Sequence, residues 1–261
     1  MLLRVLSFNT WGVPFFSRDR AARMRAIGRA VARMDVDVVG LQEVFYAKDR
    51  RLLIEAAARA GLVYSHYFHS GVMGSGLLTL SRYPIVATSF LRFRLNGRPQ
   101  DVVRVDYYAG KGVGRLRVLT PDGPVDIYNA HLIAPYLEFG PDRFGAHRVA
   151  QAVEMGRYID EQSRDVPAVL VGDMNCHPDD ATYDAVVAAG SLVEACGEVS
   201  PDAEASFAQR NGYATIHPPD HFDYVFSRSG EKHRLASQRT RFVLGGAPEP
   251  NPEGVLGYSD H

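Results

Sequence analysis

The sequence predicts an α/β fold in which two mixed β-sheets pack face to face with helices outside, as a four-layer α-β-β-α sandwich. The first 61 residues have the order β-α-β-α, which is typical of a partly parallel sheet. Strand-like runs separated by Gly, Pro and Asn follow, and they predict hairpins. A second α-β-α-β stretch and further strands come after residue 144. We therefore expect one domain over residues 1–261, although the length also fits two smaller ones.

In the first half, Leu2–Phe8 alternates between apolar and polar residues as a strand does. Asp19 is a candidate N-cap for a helix whose apolar residues recur at helical spacing. A buried strand is predicted over Val36–Leu41, and a helix follows over about Lys48–Ala60. Gly61 is placed to close this second helix.

The middle of the chain reads as short strands joined by turns. The predicted strands are Val63–Phe68, Gly76–Leu80, Ile85–Arg94, Gly114–Leu119 and Val125–His131. A helix over Phe144–Gln162 then shows an apolar stripe that includes Val149 and Val153. A helix over Asp180–Ala189 comes after the next strand. The late strands are Leu192–Ala195, Phe222–Phe226 and Arg239–Leu244, and 245–257 reads as a long loop.

The composition excludes several classes of protein. A net charge of −1 argues against a protein held to nucleic acid by bulk positive charge. Two cysteines are too few for a disulfide framework or a zinc site built on thiolates. Neither a membrane-spanning run nor an export signal is evident. We expect a soluble protein, cytoplasmic or peripheral to a membrane, or secreted if a signal has been removed.

The stretch Val169–Asn175 organises the rest of the chain. It reads as a buried strand that stops at Gly172 and then presents Asp173 and Asn175. Two residues apart in an extended chain, these side chains point the same way, which suits a site that orders a water or a metal beside a phosphate. An Asx turn explains the same residues equally well. This stretch alone leaves both interpretations open.

Polar and ionisable residues recur just past the apolar strands, where ligands gather in α/β folds. Each has an ordinary explanation when taken alone, such as a turn, a solvated surface acid or a satisfied core histidine. Together they are better explained by one site. The residues are Asn9, Glu43, His131, Asp173, Asn175, Asp223, Asp260 and His261.

These residue types fit the hydrolysis of a phosphodiester. Oxygen ligands such as Glu43, Asn9 and Asp260 suit Mg²⁺, which keeps several waters and meets phosphate oxygens, and Mn²⁺ is a possible substitute. His131 and His261 can donate to phosphate or act as acid and base. The Gly-x-x-x-x-Gly-Lys-Ser/Thr loop of nucleoside-triphosphate enzymes does not occur in the sequence.

The motifs at these positions resemble those of the endonuclease/exonuclease/phosphatase superfamily, and within it the neutral sphingomyelinases. The superfamily motifs are Leu6-Ser7-Phe8-Asn9, Leu41-Gln42-Glu43-Val44, Gly172-Asp173-Met174-Asn175, Phe222-Asp223-Tyr224 and Ser259-Asp260-His261. Further stretches carry the narrower resemblance, which covers nearly the whole chain. They include residues 9–14, 20–25, 68–76, 95–97, 106–114, 146–152 and 175–178.

The resemblance implies a role for each position. Glu43 would bind the catalytic Mg²⁺ with Asn9 close to it, and Asp260 would be an outer or second metal ligand. The remaining roles concern water and phosphate: Asp173 and Asn175 would orient both, His131 would stabilise the pentacovalent phosphate, and His261 would be the general base, oriented by Asp223.

Asp106 and Lys111 match a pair that the resemblance associates with switching the site on. The alternative interpretation is a surface ion pair of little energetic value. The chain also departs from the usual pattern. It has His131-Leu132-Ile133-Ala134-Pro135-Tyr136 where His-Leu-His-Ala-Glu-Tyr is usual, which leaves the preferred lipid headgroup open. A last core strand usually follows His261, so the sequence is expected to be truncated or that strand to be dispensable.

The resulting prediction is a Mg²⁺-dependent phospholipase C that releases phosphocholine from sphingomyelin or a related choline lipid. The apolar loop Val13–Phe16 follows Asn9 and predicts a mouth that faces a membrane surface. Two alternatives stay open: a nuclease or soluble phosphodiesterase or phosphatase on the same scaffold, and a non-catalytic lipid-binding module. No stable nucleic-acid partner is expected, and the oligomeric state is left open.

Overall fold

The computed structural model describes residues 1–101, 106–135, 142–195, 221–231, 233–236, 243–244, 248, 251–252 and 254–260. The strands among these residues form two sheets, of four and six strands. Both sheets contain parallel and antiparallel pairs, so both are mixed, as the order of the elements predicts. None of the described helices is long and apolar enough to cross a bilayer.

The first sheet contains four short strands, which are β1 (Val5–Asn9), β2 (Val38–Gln42), β3 (Tyr64–Tyr67) and β4 (Leu78–Ser81). Their order across the sheet is β1-β2-β4-β3. Because β1 and β2 are parallel, Asn9 pairs with Gln42 where both strands end. β4 runs antiparallel to β2, so Leu78 at its start lies beside Leu41. The residues that follow β1 and β2 therefore share one edge of the sheet with those that precede β4.

The second sheet contains six strands in the order β5-β6-β7-β8-β10-β9. In chain order they are β5 (Ile85–Arg92), β6 (Gly112–Thr120), β7 (Gly123–His131), β8 (Ala168–Asp173), β9 (Val193–Glu194) and β10 (Asp223–Arg228). The parallel register of β7 and β8 places His131 beside Asp173. The antiparallel register of β8 and β10 places Asp223 on the other side of Asp173. Three predicted site residues thus meet at one sheet edge.

Five helices are described, four of them on the outer faces of the sheets. They are α1 (Arg20–Val31), α2 (Ala47–Ala58), α3 (Asp106–Ala109), α4 (Gly145–Gln162) and α5 (Ala181–Gly190). Apolar residues of α1 and α2 share a core with the first sheet. Those of α4 and α5 share a core with the second sheet. The short helix α3 lies in the connection between β5 and β6.

A third core lies between the two sheets and completes the four layers. Val38 from the first sheet packs there with Ile127, Val169 and Val171 from the second. Leu170 belongs to the outer core instead, because successive strand residues face opposite sides of a sheet. The predicted α-β-β-α sandwich is therefore confirmed.

The two sheets approach each other closely at Gly40. A Cβ atom on this residue would lie 2.4 Å from Cγ2 of Val171, so a larger side chain does not fit. Gly40 is two residues before Gln42, close to the edge where the strand ends meet. The small residue thus allows close packing of the sheets directly behind that edge.

The local predictions for the helices were right only in part. Asp19 lies at the N-cap position of α1, but its φ is 50° and its side chain makes no capping hydrogen bond, because a side-chain cap requires an extended backbone at this position. The prediction for Gly61 is confirmed: its φ of 86° closes the end of α2, where the N–H of Leu62 donates to Ala57 O and that of Gly61 to Ala58 O, both at 3.1 Å.

The predicted stripe of α4 is partly right: Ala152, Gly156 and Ile159 are buried, whereas Val149 and Val153 are half-buried and Met155 is buried instead. The short helix α3 had not been predicted at all. Most of the predicted strand at 239–244 lies outside the described residues, and so does much of the predicted loop at 245–257.

Candidate active site

The side chain of Asn9 joins the ends of the two sheets. Its amide nitrogen Nδ2 donates to Oε1 of Glu43 at 3.2 Å and to Oδ2 of Asp173 at 2.9 Å. Asn9 and Glu43 follow the parallel strands of the first sheet, whereas Asp173 ends β8 of the second. The oxygen Oδ1 of Asn9 accepts a hydrogen bond from the backbone N–H of Trp11 at 2.9 Å. One amide therefore holds two carboxylates from different sheets within a few ångströms of each other.

Glu43 is held in a strained backbone conformation. Its φ is 62°, which lies in the left-handed region that non-glycine residues seldom adopt. The following N–H of Val44 donates to Gly76 O at 2.8 Å, and Gly12 packs against the Glu43 carbonyl so closely that a Cβ there would lie 2.1 Å away. Trp11 and Asn175 also have positive φ, of 47° and 51°. Such strain costs about 1–3 kcal/mol per residue and collects at functional sites.

Asp173 and Asn175 combine the two interpretations that the sequence left open. Oδ1 of Asp173 accepts a hydrogen bond from the N–H of Asn175 at 2.9 Å, which is an Asx turn. Oδ2 of the same carboxylate faces Asn9 in the cluster. The expectation of an extended pair was wrong, because Asn175 has a positive φ. Its amide donates to Leu132 O at 3.0 Å, the same carbonyl that accepts from Lys111 beside His131.

His131 ends β7 and faces the carboxylates. Its Nε2 lies 3.4 Å from Oδ2 of Asp173 and 4.0 Å from Oε1 of Glu43. The same nitrogen lies 2.9 Å from Nζ of Lys111. Because an ammonium group only donates, Nε2 accepts this hydrogen bond. His131 is therefore at the carboxylate cluster, with its Nε2 lone pair directed at Lys111 in this arrangement.

Lys111 is buried in the same cluster. Its ammonium lies 2.8 Å from Oδ1 of Asp106 and donates to Leu132 O at 2.7 Å. Both members of the Asp106–Lys111 pair are inaccessible to solvent, so the interpretation as a weak surface ion pair was wrong. The pair contacts the candidate site through His131. Its action as a switch stays a prediction.

Asp223 and Asp260 are the two remaining predicted carboxylates that the structure describes. Asp223 pairs with Asp173 in the β8–β10 ladder and is half-buried. Asp260 is also half-buried, and Ser259 Oγ donates to its Oδ1 at 3.1 Å. The predicted general base, His261, lies outside the described residues.

An apolar loop follows Asn9 at the same edge of the sheet. Phe15 at its tip is 99% exposed, with a φ of 69°, and the neighbouring Phe16 is 53% exposed. Exposed aromatic pairs of this kind mark surfaces that meet another apolar phase or partner.

Residues 6–261, which include all the candidate site residues, match the Endonuclease/Exonuclease/phosphatase family. The chain belongs to this family. Relatives within it bear out the narrower resemblance to neutral sphingomyelinases.

One relative is a protein of Drosophila melanogaster named "Putative neutral sphingomyelinase", 34% identical over 268 residues, covering 99% of this chain and 59% of the relative. Another is the "Inositol phosphosphingolipids phospholipase C" of Schizosaccharomyces pombe, 36% identical, covering 84% of this chain and 49% of the relative. The human "Sphingomyelin phosphodiesterase 2" is 36% identical, covering 68% and 42%. The chain thus spans about half the length of the curated relatives it matches.

Solved structures of the family share the fold. Sphingomyelinase C from Streptomyces griseocarneus matches with a TM-score of 0.75 and 22% identity, covering 94% of this chain and 89% of that one. A variant of beta toxin from Staphylococcus aureus with bound magnesium ions matches with a TM-score of 0.80 and 16% identity, covering 99% and 97%. At these identities the similarity establishes the fold alone.

The donor set of this family member fits a hard divalent cation. Glu43 and Asp173 supply carboxylate oxygens that Asn9 holds side by side. Within the described part of the chain, no group of three or more His, Cys, Asp or Glu side chains is arranged to hold a metal ion. Mg²⁺ suits such a site because it retains waters and takes few protein ligands, whereas structural zinc requires a complete cage.

Sequence reasoning missed a pair of buried amides directly behind the site. Gln42 Nε2 donates to Oδ1 of Asn129 at 2.8 Å, and Asn129 Nδ2 donates to Leu41 O at 3.1 Å. Both side chains are fully buried and connect the two sheets beside Asn9. The signal was present in the sequence, because Asn129 interrupts an apolar strand run at a position with no turn to form.

Proposed function

We propose that this chain is a Mg²⁺-dependent phosphodiesterase of the phospholipase C type, which cleaves sphingomyelin or a related lipid to phosphocholine and a ceramide-like product. The observation that carries the proposal is the bridge from Asn9 to both Glu43 and Asp173, with His131 Nε2 3.4 Å from the second carboxylate. Carboxylates, an amide and an imidazole converging at strand ends are the groups that this hydrolysis needs. The names of the relatives support the same substrate class.

In this proposal Glu43 holds the cation, with Asn9 beside it and Asp260 as an outer or second ligand. When bound, Mg²⁺, or Mn²⁺ in its place, stabilises the negative charge that develops on the phosphate oxygens. Asn9 has a second task that follows from its contacts. Its two hydrogen bonds keep the carboxylates of Glu43 and Asp173 at a short separation despite their like charges.

Side chains of the protein orient the attacking water and accept its proton. Asp173 and Asn175 orient the attacking water and the phosphate, and a ring nitrogen of His261 takes the proton that this water loses as the new P–O bond forms. Asp223 holds that imidazole in one tautomer, as a carboxylate does in a triad. The old P–O bond breaks as the oxygen of the lipid departs, and this oxygen takes up a proton from solvent to become the free alcohol.

His131 stabilises the pentacovalent phosphate in this scheme by donating a hydrogen bond. In the structure its Nε2 accepts a hydrogen bond from Lys111 instead. Donation from Nε2 therefore requires Lys111 to withdraw and a proton to occupy that nitrogen. The Asp106–Lys111 pair can therefore act as a switch. When Lys111 moves away from His131, Nε2 can carry a proton and donate it in a hydrogen bond to phosphate.

The loop Val13–Phe16 gives the proposed site access to a lipid surface. It leaves β1 directly after the site residue Asn9, and its two aromatic side chains point into solvent. A phosphodiester in a bilayer lies at the interface between headgroups and acyl chains. Insertion of Phe15 and Phe16 there would place the carboxylate cluster at the depth of the scissile bond.

An inositol phosphosphingolipid is the second candidate substrate. Relatives from Schizosaccharomyces pombe and Saccharomyces cerevisiae are each named "Inositol phosphosphingolipids phospholipase C". Ile133 and Pro135 also stand where the neutral sphingomyelinase pattern usually has a histidine and an acid. Buried Ile133 cannot offer a charged or hydrogen-bonding side chain to a choline headgroup.

The test is headgroup release from vesicles that contain sphingomyelin, lysophosphatidylcholine, phosphatidylcholine or inositol phosphosphingolipid, each with Mg²⁺ and with EDTA. We expect phosphocholine from sphingomyelin in Mg²⁺ and none in EDTA. Release of phosphoinositol alone would favour the second candidate. Turnover that persists in EDTA, or no turnover of any of the four lipids, would overturn the proposal.

A further inference from the structure

Arg23 is a fully buried charge that the proposed mechanism does not use. It lies on α1, has 0% exposure, and is the largest side chain among the fully buried residues described. Its guanidinium binds backbone carbonyls of several segments. Nε donates to Arg18 O at 2.8 Å, Nη1 to Thr10 O at 2.8 Å and to Tyr258 O at 3.1 Å, and Nη2 to Trp11 O at 2.8 Å.

These carbonyls belong to three segments that converge on the candidate site. Thr10 and Trp11 come directly after Asn9, and Arg18 ends the loop that presents the exposed aromatic pair. Tyr258 is two residues before Asp260. A single side chain thus fastens the chain on both sides of the apolar loop and also the segment that carries Asp260.

An arginine is better suited to binding backbone carbonyls of several segments than to filling the apolar core. Neighbouring core positions of α1, such as Met24 and Ile27, are apolar and need no hydrogen bonds. Arginine offers five N–H donors in a rigid plane, whereas lysine offers three donors at one point. The guanidinium carbon also lies 4.7 Å from the centre of the Trp11 ring, which fixes the plane of the group. Only the guanidinium group of arginine carries donors on three nitrogens, and all three bind the four carbonyls here.

We propose that Arg23 is a positioning residue. It holds the backbone at Tyr258, just before Asp260, against Thr10 and Trp11, just after Asn9, at the spacing that the divalent cation requires. This inference rests on the proposed function, because Asp260 and Glu43 are the ligands assigned there. Arg23 acts through the backbone of Thr10, Trp11 and Tyr258 and does not touch the cation or the substrate.

Arg115 is a matched control for a purely structural effect. It is also buried, and it pairs with buried Asp126 at 3.2 Å. Asp126 lies opposite Ala168, the first residue of β8, whereas Asp173 is the last. Arg115 itself lies opposite Tyr128 in the β6–β7 ladder. Replacing it therefore disturbs a buried ion pair whose carboxylate lies at the opposite end of β8 from Asp173.

The experiment compares Arg23→Lys with Arg115→Lys in the full chain. Binding of Mn²⁺ to the lipid-free protein is measured by electron paramagnetic resonance, and folding is checked by circular dichroism and urea unfolding. We expect Arg23→Lys to weaken Mn²⁺ binding by about 10–100-fold, the usual effect of losing a group that orients metal ligands. Arg115→Lys should leave Mn²⁺ binding within about twofold while still lowering stability, because it changes no group near the site.

An Arg23→Lys protein that is less stable yet binds Mn²⁺ as the original does would overturn the inference, as would an equal loss in both variants. Arg23→Gln replaces the lysine variant if the latter does not fold. The proposed function fails separately. If the original chain binds Mn²⁺ and shows the Arg23 effect but hydrolyses no lipid, the positioning role stands and the assigned substrate falls.

Discussion

Lys111→Met removes the ammonium group from the cluster beside His131, and we expect it to lower both stability and activity. Lys111 Nζ lies 2.8 Å from Oδ1 of Asp106. Both side chains are nearly inaccessible, with Lys111 3% and Asp106 2% exposed. Methionine fills the space of the lysine stem but leaves the buried carboxylate without this cation.

The magnitude follows from the burial of the pair. Removing one partner of a buried ion pair typically costs about 3–5 kcal/mol, because the remaining charge is left uncompensated. Loss of the hydrogen bond to Leu132 O adds about 1 kcal/mol. The total is a large share of the roughly 5–15 kcal/mol that stabilises a typical domain. Adding Asp106→Asn to Lys111→Met removes the uncompensated charge, so we expect a coupling energy of about 2–3 kcal/mol between the two sites.

Urea unfolding of the two single variants and the double variant measures this coupling. Sphingomyelin turnover is compared with that of Arg115→Met, which breaks another buried ion pair far from the site. We expect Lys111→Met to lose turnover by at least about tenfold. Lys111 and Asn175 both donate to Leu132 O beside His131, so losing the ammonium shifts this backbone and misplaces both site residues. A double variant as unstable as the sum of the two single variants would refute the argument for a buried pair. Equal turnover by Lys111→Met and Arg115→Met would refute the connection between the Asp106–Lys111 pair and the active site.

Three further predictions test other parts of the account. Replacing Phe15 and Phe16 together with serine should weaken binding to sphingomyelin vesicles by at least about tenfold in a sedimentation assay, because each buried Phe contributes about 1.5–3 kcal/mol, while the melting temperature stays unchanged. Gly40→Ala should cost about 1–3 kcal/mol in urea unfolding by overpacking against Val171, and a neutral result would contradict the close approach of the sheets. Burial lowers the pKa of His66 below its usual 6.5, so its neutral form contributes stability above pH 6.5 that is lost as the pH falls through the lowered value. His66→Gln should therefore reduce the loss of stability on acidification below pH 6.5, and an unchanged pH profile would exclude this contribution.

The strand ends were predictable because each combines two independent signals. An apolar run marks a buried strand, and a polar residue directly after it marks the edge where ligands collect in α/β folds. Asn9, Glu43, His131 and Asp173 were identified in this way, and the structure brings all four into one cluster. These residues could be identified from the sequence because each one ends or closely follows a predicted strand.

Two predictions that depended on a backbone angle were wrong. Asn175 was expected to be extended, but the Asx turn from Asp173 gives it a positive φ. Asp19 has a residue type that caps helices, but its left-handed backbone leaves the side chain in no position to do so. A sequence pattern reports preferences for such residues, and the surrounding tertiary contacts select the conformation.

Contacts between distant segments could not be predicted from one sequence. The bond between Gln42 and Asn129 joins residues 87 positions apart, and the bond from Arg23 to Tyr258 spans 235. The Asp106–Lys111 pair is close in sequence, but its burial depends on β7 and His131, which come later in the chain. Each of these polar groups is satisfied only after the sheets have packed.

The most direct test of the central claim is Mg²⁺-dependent release of phosphocholine from sphingomyelin by Glu43→Gln. Glu55→Gln is the matched control, because Glu55 is an exposed glutamate on α2 that pairs only weakly with Arg51. If Glu43 holds the cation, its replacement should lower turnover by at least about 100-fold, since a bound metal contributes several kcal/mol of charge stabilisation and 1.36 kcal/mol is tenfold in rate. The Glu55 variant should retain full turnover. Equal turnover by the two variants in Mg²⁺ would contradict the assignment of the Asn9–Glu43–Asp173 cluster as the metal-dependent phosphodiesterase site.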